Sequence, residues 1–437
     1  MEMRFMDILK FKLIPGGTIT RNDSICVFVL AFLARYLFMI ASGQDSLFQQ
    51  DWSRYDAQSN GILHGSFNLE TQLFITAPLF SYVLAGMKYA FGAAYIFVLP
   101  VFQIIISCIS VLYLLATAQL LFSDYRISML TGLAFAIYPI TLYYTHGLGQ
   151  ESIFESLFII SIYYLSKFFV YRTYSPLIAF AIFFSLALLT KSHVLLIAPF
   201  LVLSMFIKNG VNKRAALDVL SVIGIVFLMT LPYGLYNKFA NGAYVVSSSG
   251  LGGFFVTGHN DDFYTYAVNP PPMGTPEYER LRGMNFEVYD RLTPQLERLS
   301  HNEKQKLYLR EGIQWSVDNP GRFIILTLHN LYSFIMPGFG FHYHPFKSWI
   351  ATIILSTPVF ALAYFEIVRR ISYEYKSNLV IISLFLGMLS FSLIFYAQNR
   401  FRVVTIEPFY LMYSCSGLMF IVDYFNRRFR EHREGTV

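Results

Sequence analysis

A short polar stretch near the start of the chain carries residues suited to acid–base chemistry. The interval 42–65 contains three aspartates: Asp45, Asp51 and Asp56. Asp51, Tyr55 and Ser59 lie four residues apart. If the segment 52–63 is helical, all three share one face. A carboxylate on such a face can accept a proton from an attacking hydroxyl group.

Further charged residues fall in other turns between apolar segments. They are Glu151, Lys191, Arg400 and Arg402. Arginine presents a planar fork that binds phosphate through two parallel hydrogen bonds. Carboxylates and cations gathered from separate turns therefore indicate a reaction on an anionic, lipid-borne substrate. Interfacial lysines and arginines that extend to lipid headgroups give the same pattern without catalysis, so that alternative stays open.

The composition is that of a polytopic membrane protein. Hydrophobic residues make up 55% of the chain and charged residues 14%, against about 25% charged in soluble domains. The formal net charge of +6 comes from basic residues in short loops, so it does not indicate a nucleic-acid partner. All three cysteines fall inside apolar runs, which suggests neither a disulfide framework nor a CxxC metal site.

The apolar runs predict the helices that position these charges. They are residues 24–42, 95–122, 127–145, 151–171, 176–190, 193–208, 215–236, 348–368, 377–397 and 404–425. The bias of lysine and arginine toward cytoplasmic loops places both termini inside. The same bias predicts that the short runs 78–92 and 322–336 stay on the outer face. We therefore expect an all-α bundle of about ten transmembrane helices, with juxtamembrane helices and a small extracytoplasmic segment.

This topology divides the chain into three predicted regions. Residues 1–236 form an N-terminal transmembrane catalytic module, whose first outer loop is 43–77. Residues 237–346 form an extracytoplasmic segment with an interfacial helix. Residues 347–437 supply the C-terminal transmembrane helices and a basic cytoplasmic tail.

Several stretches, in order along the chain, resemble motifs of one enzyme family. They are D-W-S-R-Y-D-A-Q-S-N-G-I-L-H-G at 51–65, A-P-L-F-S-Y-V-L-A-G-M-K-Y-A-F-G at 77–92, L-A-L-L-T-K at 186–191, L-P-Y-G-L-Y-N ending at Asn237, S-S-S-G-L-G-G-F-F-V-T-G-H-N after it, D-N-P-G-R-F at 318–323 and Q-N-R-F-R-V-V-T-I-E-P at 398–408. Together they resemble the GT-C glycosyltransferases, which use polyprenyl- or dolichyl-phosphate sugars. The branch they are most similar to contains the protein O-mannosyltransferases and the aminoarabinose transferases.

The resemblance implies roles for individual residues. Asp51 matches the family's catalytic first-loop aspartate, and Glu151 matches a second acidic position at the outer end of a span, so the expected catalytic residues are Asp51 and Glu151. Lys191, Arg400 and Arg402 match basic positions that contact the lipid phosphate, and the Gly-rich turn 250–258 would line the cavity. The complete expected substrate-binding set is Tyr55, Asp56, Lys191, Asn237, His259, Asn260, Arg400 and Arg402.

The chain also departs from the family's pattern. The family's first-loop acidic pair is Asp51-Trp52 here, which weakens the case for a metal in that loop. The acidic-basic pair that precedes Pro-Pro in aminoarabinose transferases is replaced by residues 75–78, I-T-A-P. His259 and the His-Tyr-His stretch at 342–344 remain alternative metal ligands. A divalent metal thus stays open, and no cofactor is implied with certainty.

The sequence predicts an inverting glycosyltransferase in a bacterial inner (plasma) membrane. It would move a sugar from a polyprenyl-phosphate donor to a glycan, lipid or protein acceptor on the extracytoplasmic face. A transporter or flippase for lipid-linked saccharides would show inverted repeats and ionisable residues at mid-membrane. An O-antigen ligase or polymerase would depend on arginine and histidine in the large outer segment. No nucleotide-binding glycine motif is present.

Overall fold

The structure is a computed structural model that describes residues 19–43, 51–65, 76–338, 346–396 and 398–434. It is 85% helical, and the described residues contain no strand. The predicted all-α fold is therefore confirmed.

Twenty α-helices follow one another along the described chain. They are α1 (Arg21–Ser42), α2 (Trp52–His64), α3 (Leu79–Phe91), α4 (Tyr95–Phe122), α5 (Tyr125–Ile137), α6 (Pro139–His146), α7 (Glu151–Tyr171), α8 (Tyr174–Thr190), α9 (Ala198–Asn209), α10 (Lys213–Asn241), α11 (Leu251–Gly258), α12 (Asp261–Val268), α13 (Pro276–Arg282), α14 (Glu287–Leu296), α15 (His301–Asp318), α16 (Pro320–Ile335), α17 (Phe346–Glu374), α18 (Leu379–Ile394), α19 (Asn399–Thr405) and α20 (Glu407–Glu434).

Six helical segments of the described chain are long and apolar enough to cross a membrane, and two bent helix pairs raise the number to eight. The six are Arg21–Ser42, Leu79–Phe122, Glu151–Tyr171, Ser192–Asn209, Lys213–Phe239 and Ile350–Ser377. Helices α8 and α18 are apolar but shorter, with 17 and 16 residues. The run 78–92, expected to stay outside, continues through a short turn into α4 as one apolar segment. The number of about ten spans therefore stays a prediction.

Prolines break two of the predicted spans. Helices α5 and α6 meet at 52°, where Tyr138 is extended ahead of Pro139, because a proline disfavours the helical conformation of the residue before it. Helices α19 and α20 meet at 59°. There Pro408 follows Glu407 and lacks the N–H that would continue the hydrogen-bond ladder. The second bend turns α19 away from the axis of α20.

The core of the bundle forms between the N-terminal helices and α20. Helix α4 packs against α1, α5 and α7, α7 packs against α8, and α20 packs against α5 and α17. Fully buried aromatic rings such as Phe135, Phe154 and Phe158 fill the spaces between them. This packing brings the start of the C-terminal helix next to the N-terminal helices, so residues near position 400 approach those near 51 and 151.

The helices of the segment 251–318 pack closely because of small residues. A Cβ at Gly252 would collide with the backbone carbonyl of Gln305 in α15, and one at Gly258 with the carbonyl of Phe395. The glycine-rich stretch, expected to line a cavity, therefore lets α11 approach its neighbours.

Candidate active site

Asp51 forms an ion pair with Arg400, although the two residues are 349 positions apart in the sequence. Asp51 precedes the first residue of α2, and its carbonyl accepts the N–H groups of the first turn. Its Oδ2 lies 2.6 Å from Nη1 of Arg400. The two side chains are 27% and 31% exposed. The start of α2 and the bent pair α19–α20 thus meet in an ion pair that solvent can reach.

The ionisation of Asp51 depends on this partner. Burial raises the pKa of the Asp51 carboxyl, but the charge and hydrogen bond of Arg400 lower it, with smaller help from Arg54 and Lys191. The net pKa lies below the ordinary value for aspartate. Asp51 is therefore a carboxylate at neutral pH, the form that can accept a proton.

A second ion pair lies beside the first and is more deeply buried. Glu151 is the first residue of α7, and Lys191 directly follows α8. Their Oε1 and Nζ atoms are 2.7 Å apart, and the two residues are 4% and 3% exposed. Both Asp51 and Arg400 are close enough to act on the charge of Lys191. Two carboxylates and two cations, from four separate segments, therefore form one electrostatic group.

Tyr55 is buried close to these charged residues. The residue is 2% exposed, and its ring meets that of Phe80 edge-on at 5.0 Å between centroids. Burial raises the pKa of its hydroxyl, and the negative charges of Glu151 and Asp51 raise it further. Tyr55 therefore stays neutral and keeps its proton.

Asp56, one residue further along α2, is directed to a different partner. Its Oδ1 lies 2.7 Å from Nζ of Lys88 in α3, and the same amine donates to Oδ1 of Asn60 at 2.7 Å. These bonds connect α2 to α3. The contacts of Asp56 thus hold α2 against α3.

The structure separates Arg402 from Arg400, although the sequence suggested equivalent roles. Arg402 is 2% exposed, and its Nε donates to Glu407 Oε1 at 2.9 Å. Its Nη atoms donate to the carbonyls at the end of α16 and in the turn after it: Ser333, Phe334, Met336 and Gly338. The donors of this guanidinium are therefore used by a carboxylate and by backbone carbonyls. It caps a helix end.

Three other predicted substrate-binding residues make local contacts. Asn237 donates to the carbonyl of Tyr233 at 2.8 Å. Asn260 caps α12 by accepting from the N–H of Phe263 at 2.8 Å. The His259 ring stacks on Phe255 at 4.1 Å, and burial lowers its pKa, so it is neutral. These contacts stabilise the local structure of α10, α11 and α12.

His193 was not singled out in the sequence, yet it supports the site. It lies two residues after Lys191, is 6% exposed, and its Nε2 is 2.9 Å from Oγ1 of Thr405. Its ring lies among those of Phe154 and Phe401. It therefore ties the turn after α8 to the helix that carries Arg400. The sequence signal that could have identified His193 is its position two residues after Lys191, in the stretch K-S-H.

Arg35 and Glu155 are charged residues that lie buried inside apolar helices. Arg35 in α1 donates to Ser107 at 2.8 Å and to the carbonyl of Ala136 at 2.9 Å. Glu155, one turn into α7, is 1% exposed, and its carboxylate has no hydrogen-bond partner within the described chain. Glu155 thus places an ionisable group inside an apolar helix.

No group of three or more potential metal ligands occurs among the residues that the structure describes. The candidate ligands in the stretch 342–344 lie outside the described ranges. Asp45 also lies outside them.

The fold of the bundle is similar to the GT-C fold of known glycosyltransferases. Residues 76–236 match a family model described as dolichyl-phosphate-mannose-protein mannosyltransferase. The resemblance inferred from the sequence is confirmed by this match and by the fold of solved structures. No curated protein matches the chain by sequence.

The solved structures similar to this chain include an oligosaccharyltransferase from Archaeoglobus fulgidus. Its complex with an inhibitory peptide and a dolichol-phosphate has a TM-score of 0.54 and 14% sequence identity, and the match covers 95% of this chain and 52% of that protein. Its apo form gives a TM-score of 0.55 at 14% identity, with 94% and 52% covered. This chain therefore spans about half the length of that enzyme. At this identity the likeness establishes the fold.

Proposed function

We propose that the protein is an integral-membrane, inverting glycosyltransferase. It moves one sugar from a polyprenyl-phosphate-linked donor to a glycan, lipid or protein acceptor on the extracytoplasmic face of a bacterial inner membrane. The observation that carries the proposal is the ion pair between Asp51 and Arg400 beside the pair between Glu151 and Lys191. In a GT-C bundle this grouping places a base next to cations suited to a phosphate.

The reaction is a single displacement at the anomeric carbon. The oxygen of the acceptor hydroxyl forms the new bond to that carbon, and Asp51 accepts the proton that this hydroxyl loses. The bond from the sugar to the phosphate oxygen breaks, and its electron pair leaves with the polyprenyl phosphate. Charge develops on the sugar ring, as in other glycosyl transfers. Attack opposite the leaving group inverts the anomeric configuration.

Arg400 stabilises the departing phosphate. A planar guanidinium donates two hydrogen bonds to phosphate oxygens, and such fixed donors stabilise charge that grows during the reaction. Lys191 adds a positive charge nearby and stays fixed through its bond to Glu151. In this assignment Glu151 positions the lysine, and Asp51 alone accepts the proton.

Binding of the donor requires Arg400 to exchange partners. In the structure its Nη1 is bonded to Asp51 and its Nε to Gln398, 2.9 Å away. A phosphate that takes over the guanidinium releases the carboxylate for the acceptor hydroxyl. The proposal therefore couples occupation of the donor site to the readiness of the base.

The N-terminal region 1–236 supplies Asp51, Glu151 and Lys191 to this site, and the region 347–437 supplies Arg400. We assign the intervening region 237–346 to the extracytoplasmic side.

The test uses the full-length protein in liposomes with polyprenyl-phosphate-linked hexoses and pentoses. Release of polyprenyl phosphate is measured with envelope lipids, glycans or peptides as acceptors. Asp51→Asn should reduce transfer by about 10²–10⁴-fold. Asp262→Asn is the matched control, because Asp262 also pairs with an arginine, Arg280, at 2.7 Å. Wild-type transfer by the Asp51 variant would refute the mechanism.

A genetic comparison identifies the substrates. Mass spectrometry of envelope glycans from cells with and without the gene should show one sugar missing from one acceptor class. An unchanged glycan profile together with an accumulated, untranslocated lipid-linked saccharide would instead identify a transporter.

A further inference from the structure

Four basic side chains meet at one end of the helical bundle, away from the residues described above. Arg172 directly follows α7, Lys208 lies at the end of α9, Arg214 at the start of α10, and Lys376 in the turn after α17. Each stands at the end of an apolar segment long enough to cross a membrane. The four cations therefore lie at headgroup level on the same face.

The side chains of three of these residues donate hydrogen bonds to backbone carbonyls of other members of the cluster. Nη2 of Arg214 donates to the carbonyl of Arg172 at 3.4 Å, and Nη2 of Arg172 donates to the carbonyl of Lys208 at 3.0 Å. Nζ of Lys208 donates to the carbonyl of Lys376 at 3.1 Å. The cluster is thus a built arrangement, in which four helix ends hold their cations next to one another.

The positive charge of this cluster is poorly neutralised. Arg172 and Lys376 both repel Lys208, and Arg214 repels Arg172. Asp218 and Glu374 are the acids that act on the cluster. None of the four cations forms an ion pair with a carboxylate in the described parts of the chain. Each amine or guanidinium also has donors left after its bond to a carbonyl.

A neighbouring amide points to the same conclusion independently. Asn209 directly follows Lys208, and both polar atoms of its side chain are buried without a hydrogen-bond partner among the described residues. Burying a polar amide without such a partner is unfavourable. Such an amide requires a partner that the described residues do not supply.

We propose that this cluster is a binding site for a phosphate group, separate from the transfer site. Arginine and lysine supply charge-assisted hydrogen bonds to the phosphate oxygens, and the Asn209 amide donates one more. The phosphate belongs to the headgroup of an anionic lipid, whose acyl chains lie along the apolar helices. A basic pocket between transmembrane helices is suited to such headgroups.

The site has two physical consequences. It holds together the ends of α7, α9, α10 and α17, which otherwise repel one another. It also makes the stability of the bundle depend on the lipid composition of that leaflet. Neither consequence requires the proposed sugar transfer.

The test is native mass spectrometry of the full-length, purified protein with phosphatidylglycerol or phosphatidylcholine. The wild type should retain phosphatidylglycerol in preference to phosphatidylcholine. Arg172→Gln or Lys208→Gln should weaken this retention about ten-fold or more, since each removes a hydrogen bond between charged groups. Arg428→Gln is the control, because Arg428 is an exposed cation on the last helix.

A second variant separates binding from folding. If the buried amide has no ligand, Asn209→Leu removes an unsatisfied polar group and should stabilise the protein without changing lipid retention. Under the proposal, Asn209→Leu weakens retention of phosphatidylglycerol, and phosphatidylglycerol raises the Tm of the wild type more than that of this variant.

A further measurement distinguishes a lipid headgroup from free phosphate as the ligand of this site. Inorganic phosphate that displaces phosphatidylglycerol and raises the Tm alone would identify a soluble phosphate ligand at the same site. Equal retention of the two lipids would overturn the proposal. So would an equal loss in Arg428→Gln, because the effect would then be general attraction between charges.

Discussion

Replacing Asp51 with asparagine should make the protein bind polyprenyl phosphate more tightly while it stops transferring sugar. The two effects have one cause. Asp51 holds Arg400 in the free protein, so it competes with the phosphate for the same guanidinium. Asparagine keeps the size of the side chain but removes the charge, and with it most of the competition.

The size of the gain follows from the exposure of the pair. A fully exposed ion pair contributes about 0.2–1 kcal/mol, and a hydrogen bond to a charged group about 1.5–3 kcal/mol. The Asp51 and Arg400 side chains are 27% and 31% exposed, between these two cases. We therefore expect release of Arg400 to strengthen phosphate binding by about 1–2 kcal/mol, which is about 5–30-fold in Kd.

The assay measures binding of sugar-free polyprenyl phosphate to protein in nanodiscs, so that no turnover occurs. The Kd is compared between wild type, Asp51→Asn and Asp262→Asn. The last variant breaks an Asp–Arg pair of similar length elsewhere and should leave the Kd unchanged. Arg400→Gln should weaken binding and should cancel the gain when combined with Asp51→Asn.

An unchanged or weaker affinity in Asp51→Asn would refute the exchange of partners at Arg400. Loss of transfer without any gain in affinity would leave Asp51 as the base and assign the phosphate to other cations. A gain in the control variant as well would show that general charge accounts for the effect.

Three further predictions follow from the contacts of individual residues. Arg402→Ala leaves a buried carboxylate unpaired, so it should destabilise the protein by about 3–5 kcal/mol; a change in carrier affinity of the folded fraction, with no loss of Tm, would contradict this. Lys191→Met should be destabilising for the same reason, and adding Glu151→Gln should recover much of the loss, as measured by Tm; additive losses would contradict the pairing. With the native cysteines replaced, Met273→Cys should react with an impermeant thiol reagent from outside and Val211→Cys should not; the reverse would invert the proposed topology.

The sequence predicted the helices well where hydrophobicity alone determines them. The expected runs 95–122 and 151–171 coincide with α4 and α7, because a helix in a bilayer must be apolar over its whole length. The bends in the helices were harder to predict from the sequence. Hydropathy over 127–145 and 404–425 is continuous, yet prolines break both regions. Whether a proline bends a span or is accommodated depends on neighbours that the sequence does not identify.

The composition of the site was predictable, but its pairing was not. Asp51, Glu151, Lys191 and Arg400 were all identified from their positions in turns. Their partners depend on how separate helices pack, which charge patterning does not encode. Asp56 was placed in the expected substrate-binding set, and its partner in α3 became apparent only once the two helices were packed together.

Arg400 and Arg402 show why a pair of identical residues can divide into two roles. Residues two apart on a helix point in nearly opposite directions, so on α19 one guanidinium faces Asp51 and the other faces the bundle. The last carbonyls of α16 have no partner within their own helix, and Arg402 supplies one to several of them. It thereby anchors the bent segment 399–405 inside the protein, where irregular backbone is tolerated. A fixed Arg402 in turn lets Arg400 exchange one anionic partner for another without loss of the fold.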